Sequence, residues 1–326
     1  MKYRLMWLLT ILFWGISVWY GRRILVQEDL LSLHLTGSDD GITRPELEQI
    51  LEKYYVAAYV EKGLITATVP ETGRHAQLSG ILTAGSHSLI TGCRLWDGSF
   101  SLGASEECMI SRAAALKLFG NEESAGLIVY AEGQEWLVRG VIDFAKPVIL
   151  LPADKETRLP NLEFQFSGSG DNTAEAWQAC YQYGITGRQK IINYSLFGAI
   201  ARLFMWLPFL TMLYRLRNMK RKYQAAANKK AVCCSLELLF WCGVLLFLFQ
   251  GIHFPAGFIP VKWSDFPFWI TKWKETLGFT EILFTSTFMK DGVLRTGLTA
   301  CGMSAAAASG FLCKATSDVP AWLYRH

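Results

Sequence analysis

Charge is what this sequence has least of. Only 18% of its 326 residues are Asp, Glu, Lys or Arg, against about 25% in ordinary soluble domains. No Gly-x-x-x-x-Gly-Lys-Ser/Thr element occurs, which excludes a P-loop ATPase within the chain. The five His are scattered, and none falls in a His-Glu-x-x-His or other zinc spacing. Ser86-His87-Ser88 sets hydroxyls beside an imidazole, but adjacency in sequence does not make a triad, so the segment reads as a loop. Ser167–Gly170 (SGSG) reads as a turn, not a phosphate cradle. These absences point away from an enzyme and imply no cofactor and no metal site. Eight Cys are present. Cys233, Cys234, Cys242, Cys301 and Cys313 lie in or beside apolar runs, where they serve as small apolar residues. Cys93, Cys108 and Cys180 lie elsewhere, an odd number that argues against a disulfide framework; a Cys93–Cys108 pair stays open.

What the chain does have is long apolar runs. Half of it is apolar, and the excess is concentrated at 1–24, 192–214, 231–252 and 294–313. Each approaches the ~20 residues that cross a hydrocarbon core. The first run follows Lys2 and Arg4. Trp19, Tyr20, Arg22 and Arg23 stand where a small-residue cleavage site would follow a signal peptide, so it is read as an uncleaved signal-anchor helix. Residues 215–230, a loop between the second and third runs, are strongly basic. The stretch 214–230 holds seven Lys or Arg and no acid. Lying between spans, it reads as a cytoplasmic loop by the positive-inside rule rather than as a nucleic-acid patch. Parity then places residues 25–190 outside and the N-terminus inside. The fourth run is rich in small residues. Gly297, Cys301 and Ala305 recur four apart, a spacing that lets helices approach closely in lipid.

Two charged residues, Arg202 and Glu237, sit inside apolar runs. Each would cost about 2.5–3.5 kcal/mol facing lipid, so each is expected to face the helix bundle or snorkel, and a pairing of the two is one possibility. Between the third and fourth runs, residues 264–278 predict a short helix with Ser264 as cap and Gly278 as terminator. Phe266, Trp269, Ile270, Trp273 and Leu277 share one face. This reads as a helix lying in the outer interface, with Trp263, Trp269 and Trp273 as anchors; the alternative is a helix packed on the protein's own domain.

Residues 25–190 have ordinary charge and turn content. Strands are expected at Tyr54–Val60, Leu64–Val69, Ala76–Leu82, Leu127–Ala131, Trp136–Ile142, Val148–Leu151 and Leu162–Phe166. Helices are expected from Thr43 to about Lys53, from Ser111 to Leu118 ahead of Gly120, and from Ala174 to Tyr183. Mixed helices and hairpin-like strands give an α+β domain.

Residues 108–120 (CMISRAAALKLFG), 125–131 (AGLIVYA), Gly133 and 135–143 (EWLVRGVID) resemble a segment of the periplasmic core domain of MacB/FtsX-type ABC transporter permeases. In that family a helix ending in Leu-Phe-Gly leads to a strand, a Gly turn and a Val-x-Gly-Val strand. Leu95–Phe100 (LWDGSF) is similar to the family's Leu-x-x-Gly-Arg segment, with Ser99 where Arg is usual. The resemblance covers about 50–153. Leu236–Leu246 (LELLFWCGVLL) also resembles a family span, with Glu237 as its opening Glu. The resemblance implies a MacB-like α+β domain inserted between the first and second helices of a four-helix transmembrane part in a bacterial cell membrane. It further implies a permease-like subunit that pairs with itself or a sister permease and with a cytoplasmic ABC ATPase. Arg215, Arg217, Lys220, Arg221 and Lys222 would form the ATPase-coupling loop. That loop lacks the family's Arg-Glu-Ile-Gly type motif, which leaves a second reading open: a membrane-anchored scaffold or sensor that does not transport.

Overall fold

A computed structural model of the chain describes residues 2–35, 41–101, 106–166, 172–185, 189–224, 230–250, 260, 262–285 and 289–317. In chain order the elements are α1 (Lys2–Leu25), β1 (Leu30–Leu35), α2 (Arg44–Leu51), β2 (Tyr55–Thr68), β3 (His75–Gly85), α3 (His87–Thr91), β4 (Leu95–Gly98), β5 (Glu107–Ser111), α4 (Arg112–Phe119) and β6 (Ile128–Ala131). They continue with β7 (Gln134–Ile142), β8 (Val148–Pro152), β9 (Asn161–Gln165), α5 (Asn172–Gln182), β10 (Gln189–Asn193), α6 (Tyr194–Gln224), α7 (Lys230–Gln250), α8 (Phe266–Thr285) and α9 (Met289–Ser317). The chain divides into a helical unit (Met1–Glu28, Tyr194–Val261 and Val293–His326) and a sheet unit (Asp29–Asn193 and Lys262–Gly292).

The sheet unit is built on one sheet of ten strands, ordered β10-β1-β9-β2-β3-β8-β5-β7-β4, with β6 bridging β2 and β7. That bridge closes a circuit through β2, β3, β8, β5, β7 and β6. The strand residues Ile65, Leu78, Cys108, Ile110, Val129, Val138, Val141, Ile149 and Leu151 form its core, together with Ala114, Ala115 and Leu118 of α4. β7 alternates exposed and buried residues over Leu137, Val138, Arg139 and Gly140, as a strand with one wet face must. All five residues of β8 are buried, as expected of a strand covered on both faces.

α4 is set at both ends by local chemistry. The Ser111 hydroxyl accepts from Ala114 N at 3.2 Å and from Val148 N at 2.9 Å, tying the helix start to β8. Gly120 ends the helix at φ 74°, donating from N to Leu116 O at 3.0 Å. Only Gly adopts that conformation without strain. The β6–β7 connection is a two-residue turn, Glu132 and Gly133, with φ 54° and 82°. Two positive φ values match the twist of the flanking strands.

Several expectations change. The two strands expected at Tyr54–Val60 and Leu64–Val69 are one 14-residue strand, β2, bent by a bulge between Glu61 and Gly63. The helix expected at 264–278 is α8 and runs on to Thr285, past Gly278. An interior Gly costs only about 1 kcal/mol, which burial of Phe279 and Leu283 offsets. Its cap is Asp265, whose Oδ1 accepts from Phe268 N at 3.2 Å, rather than Ser264. Lys262–Gly292, which lies between the third and fourth apolar runs, groups with the sheet unit. The second apolar helix begins at Tyr194, since 189–193 form β10. The loop expected at 215–230 is helical through Gln224, because α6 runs unbroken for 31 residues; Arg, Lys, Met and Gln are all good helix formers. Cys93 and Cys108 are free thiols rather than a disulfide. The turn expected at Ser167–Gly170 lies outside the described residues.

Leu5–Leu25, Tyr194–Arg215 and Lys290–Lys314 are long and apolar enough to cross a membrane. α7, expected to span at 231–252, is a 21-residue helix, or about 31 Å at 1.5 Å per residue; positions 251 and 252 lie outside the described residues. Small residues of α9 face its neighbours. Gly297 lies against Ile24 and Gly302 against Phe204, and Ser17 of α1 donates to Cys301 O at 3.1 Å. Cys301 and Ala305 are fully buried, as their four-residue spacing anticipates.

Candidate functional site

Glu163 lies in the middle of β9, and strand geometry sets its neighbours. Its cross-strand partners are Ser32 on β1 and Ala57 on β2. Both are small, so a carboxylate fits between them. The Ser32 hydroxyl stands 2.6 Å from both carboxylate oxygens and directs its proton between them. Lys290, in the first turn of α9, donates from Nζ to Glu163 Oε2. The side chains of Lys290 and Glu163 are 0% and 1% exposed. A charge this deep is costly unless paired and hydrogen-bonded, so the pair needs all three groups. Burial pushes the Glu163 carboxyl above its ordinary range, with nearby Asp291 adding to the rise; Lys290 and Ser32 pull it back down. The same burial, with the charges of Glu163, Asp291 and Glu61, pushes the Tyr59 phenol up.

α9 is one helix of 29 residues, about 43 Å long. Its first turn belongs to the sheet unit and the rest to the helical unit. Glu163 holds that first turn by charge, and β9 carries Glu163 between β1 and β2.

A second ion pair lies inside the helical unit. Arg202 Nη2 on α6 donates to Glu28 Oε2 at 2.5 Å, with side chains 17% and 30% exposed. Gly198, one turn earlier, makes room, since a Cβ there would lie 3.0 Å from Glu28 Oε2. Arg202 thus has a partner other than the Glu237 considered from sequence, and Glu237 lies exposed on α7. Of the basic residues expected to couple to an ATPase, Arg215 is half-buried on α6. Arg217, Lys220, Arg221 and Lys222 follow on the same helix, but their side chains lie outside the described residues. Trp263, Trp269 and Trp273 are exposed, and Trp263 and Trp269 stack with ring centroids 5.7 Å apart.

The Ser86-His87-Ser88 segment forms the start of α3 rather than a loop. Thr83 Oγ1 donates to Leu151 O at 3.1 Å and stands 2.6 Å from His87 Nε2, so His87 donates to Thr83. Ser86 Oγ accepts from the Tyr55 hydroxyl at 2.9 Å. The imidazole therefore serves the α3–β3 junction and not Ser86. Burial lowers its pKa to about 4, which keeps it neutral.

Sequence reasoning found Arg202 but not Glu163, Lys290 or Glu28. In LEFQF the apolar residues alternate with Glu163 and Gln165, so the strand pattern gives no signal that Glu163 is buried.

No family model matches the chain, and no curated protein matches it. Among solved structures it is similar to the extracellular domain of the noncanonic ABC-type transporter YknZ from Gram-positive bacteria. That match has 19% identity and a TM-score of 0.39, covering 50% of this chain and 100% of that one. It is also similar to the periplasmic region of MacB from Actinobacillus actinomycetemcomitans, with 11% identity and a TM-score of 0.43, covering 51% of this chain and 89% of that one.

Proposed function

We propose that the chain is a permease-like subunit of a MacB/FtsX-type ABC transporter. Its sheet unit stands outside a bacterial cell membrane, with the N-terminus inside. A separate cytoplasmic ATPase drives it, and it pairs with itself or a sister permease. Its role is export, extraction or transmembrane signalling, with no covalent chemistry of its own.

The observation that carries this reading is the double insertion of the sheet unit, as residues 29–193 and 262–292, into a unit of long apolar helices. A domain so placed is joined to the membrane helices at four chain crossings. Ion pairs sit next to two of them, the half-buried Glu28–Arg202 in the helical unit and the buried Glu163–Lys290 in the sheet unit. Helix displacement then becomes domain movement. The residues carrying the family resemblance also fall into a consistent set of elements. Leu118-Phe119-Gly120 ends α4, 128–131 form β6, Gly133 sits in the turn, and 134–142 form β7. The basic end of α6 is the surface we assign to the ATPase.

Purification of the tagged chain from its host in mild detergent tests the reading. A stoichiometric P-loop ATPase is expected, lost when Arg215, Arg217, Lys220 and Arg221 are changed to Glu. Recovery without an ATPase supports the second reading, a scaffold or sensor. That reading is favoured by the lack of any acid or Gly in the basic segment 215–224.

A further inference from the structure

α8 belongs to the sheet unit, yet one of its faces is exposed. Phe279 and Leu283 are buried, and the helix packs on β10. On another side, Phe266, Ile270, Trp273, Leu277 and Phe284 are all more than half exposed. At 100° per residue these five lie within roughly 60° of arc. They form one apolar stripe along the helix, about 120° from the buried face. Trp263 extends it at the N-terminal end, 74% exposed. Soluble surfaces scatter such residues singly; a continuous row marks a contact.

Chain length restricts what can cover the stripe. Thr285 ends α8 only five positions before Lys290, where a membrane-length apolar stretch begins. That keeps the two within about 18 Å. The tether keeps the C-terminal end of α8 close to the start of that stretch. Its chemistry fits that place: Trp and Phe along the stripe, and exposed Lys262 and Lys274 near it, suit the headgroup boundary, where aromatic rings settle and ammonium groups meet phosphates. Charged residues at 272, 274, 275 and 281 keep α8 from being a span itself.

We infer that the Phe266–Phe284 stripe docks on the phospholipid headgroup–acyl boundary of the outer leaflet, so that α8 lies in the membrane plane while its buried face holds β10. This rests on the reading of the chain as membrane-spanning. It adds a lipid contact for the sheet unit that the permease reading does not require.

The test is site-specific photocrosslinking of the full chain in vesicles of phosphatidylethanolamine and phosphatidylglycerol. Benzoylphenylalanine replaces Trp273 or Leu277 in turn. Leu8, exposed within the Leu5–Leu25 apolar stretch, serves as the spanning control. Tyr181, 92% exposed on α5, serves as the solvent control. Phospholipid adducts at 273 and 277 in yields like that at Leu8, and lost at 181, are expected. Adducts at Leu8 with none at 273 and 277, or adducts there to a second copy or another protein, would overturn the docking. Absence of lipid at Leu8 as well would overturn the membrane-spanning reading beneath it.

Discussion

The two halves of the sheet unit bury different things. Around the ring of β2, β3, β8, β5, β7 and β6, the core is apolar and sealed by α4. In the extension β10–β1–β9, the interior holds Ser32, Glu163, Asn193 and Lys290. The ring's core asks only for volume and shape, and all its parts come from residues 65–151. The extension asks for a specific charge from 127 residues away. It is satisfied only when the first turn of α9 is in place. One half is therefore self-sufficient, and the other depends on the helix that leads into the helical unit.

Replacement of Lys290 by Met would break the charged half most severely. An unpaired buried carboxylate is left behind, and about 3–5 kcal/mol of stability should be lost. Hydrogen exchange of β9 and β1 in the full chain reads the loss. Without Lys290 the Glu163 carboxyl rises further, and a raised carboxyl binds a proton more readily in the folded state. The penalty should therefore shrink as pH falls and grow as pH rises. A pH-independent penalty would argue that Glu163 is not the group left exposed to the change.

Leu118→Ala attacks the dry half. It should cost about 3 kcal/mol through lost burial and a cavity, with no dependence on pH, and the extra exchange should appear in β5, β7 and β8. Spread of that exchange into β1 and β10 would show that the halves are not independent. His87 supplies an effect of similar size that grows as pH falls, opposite to the Lys290→Met penalty. Its folded pKa of about 4 lies below the ordinary value near 6.5. The stability it contributes is therefore full above pH 6.5 and falls as pH drops towards 4, about 3 kcal/mol in all. His87→Gln should flatten that slope in an unfolding series. The smallest effect belongs to Lys62→Ala. Lys62 meets Glu132 at 2.5 Å, but the two side chains are 43% and 37% exposed, so the change should stay below about 1 kcal/mol. The same ion-pair chemistry thus spans the whole range, and burial decides its worth.

The ring was largely legible in advance. β6 and β7 alternate, Gly120 and Gly133 mark a helix end and a turn, and the Leu118-Phe119-Gly120 resemblance located α4. Of the extension only β9, expected at Leu162–Phe166, was. β1 (LLSLHL) follows α1 closely and reads as linker, while β10 (QKIIN) is too short and polar to stand out. Alternation puts Glu163 on the face opposite Leu162 and Phe164, where an acid reads as solvated. It is buried because that face is covered too. Lys290 reads as a charged residue ahead of a span. Arg202 was recognised as needing a partner, but Glu28 lies 174 residues away, in the turn after α1. Periodicity reports which face is apolar; it does not report which distant segment arrives to cover a polar one.

The claim at the centre of this account is that charge holds the start of α9 to the sheet. A double-mutant cycle on the full chain tests it most directly, combining Lys290→Met with Glu163→Gln and following unfolding of β9 by hydrogen exchange. The account predicts that Glu163→Gln rescues much of the Lys290→Met loss, with a coupling above about 2 kcal/mol. Losses that simply add, within about 0.5 kcal/mol, would contradict it.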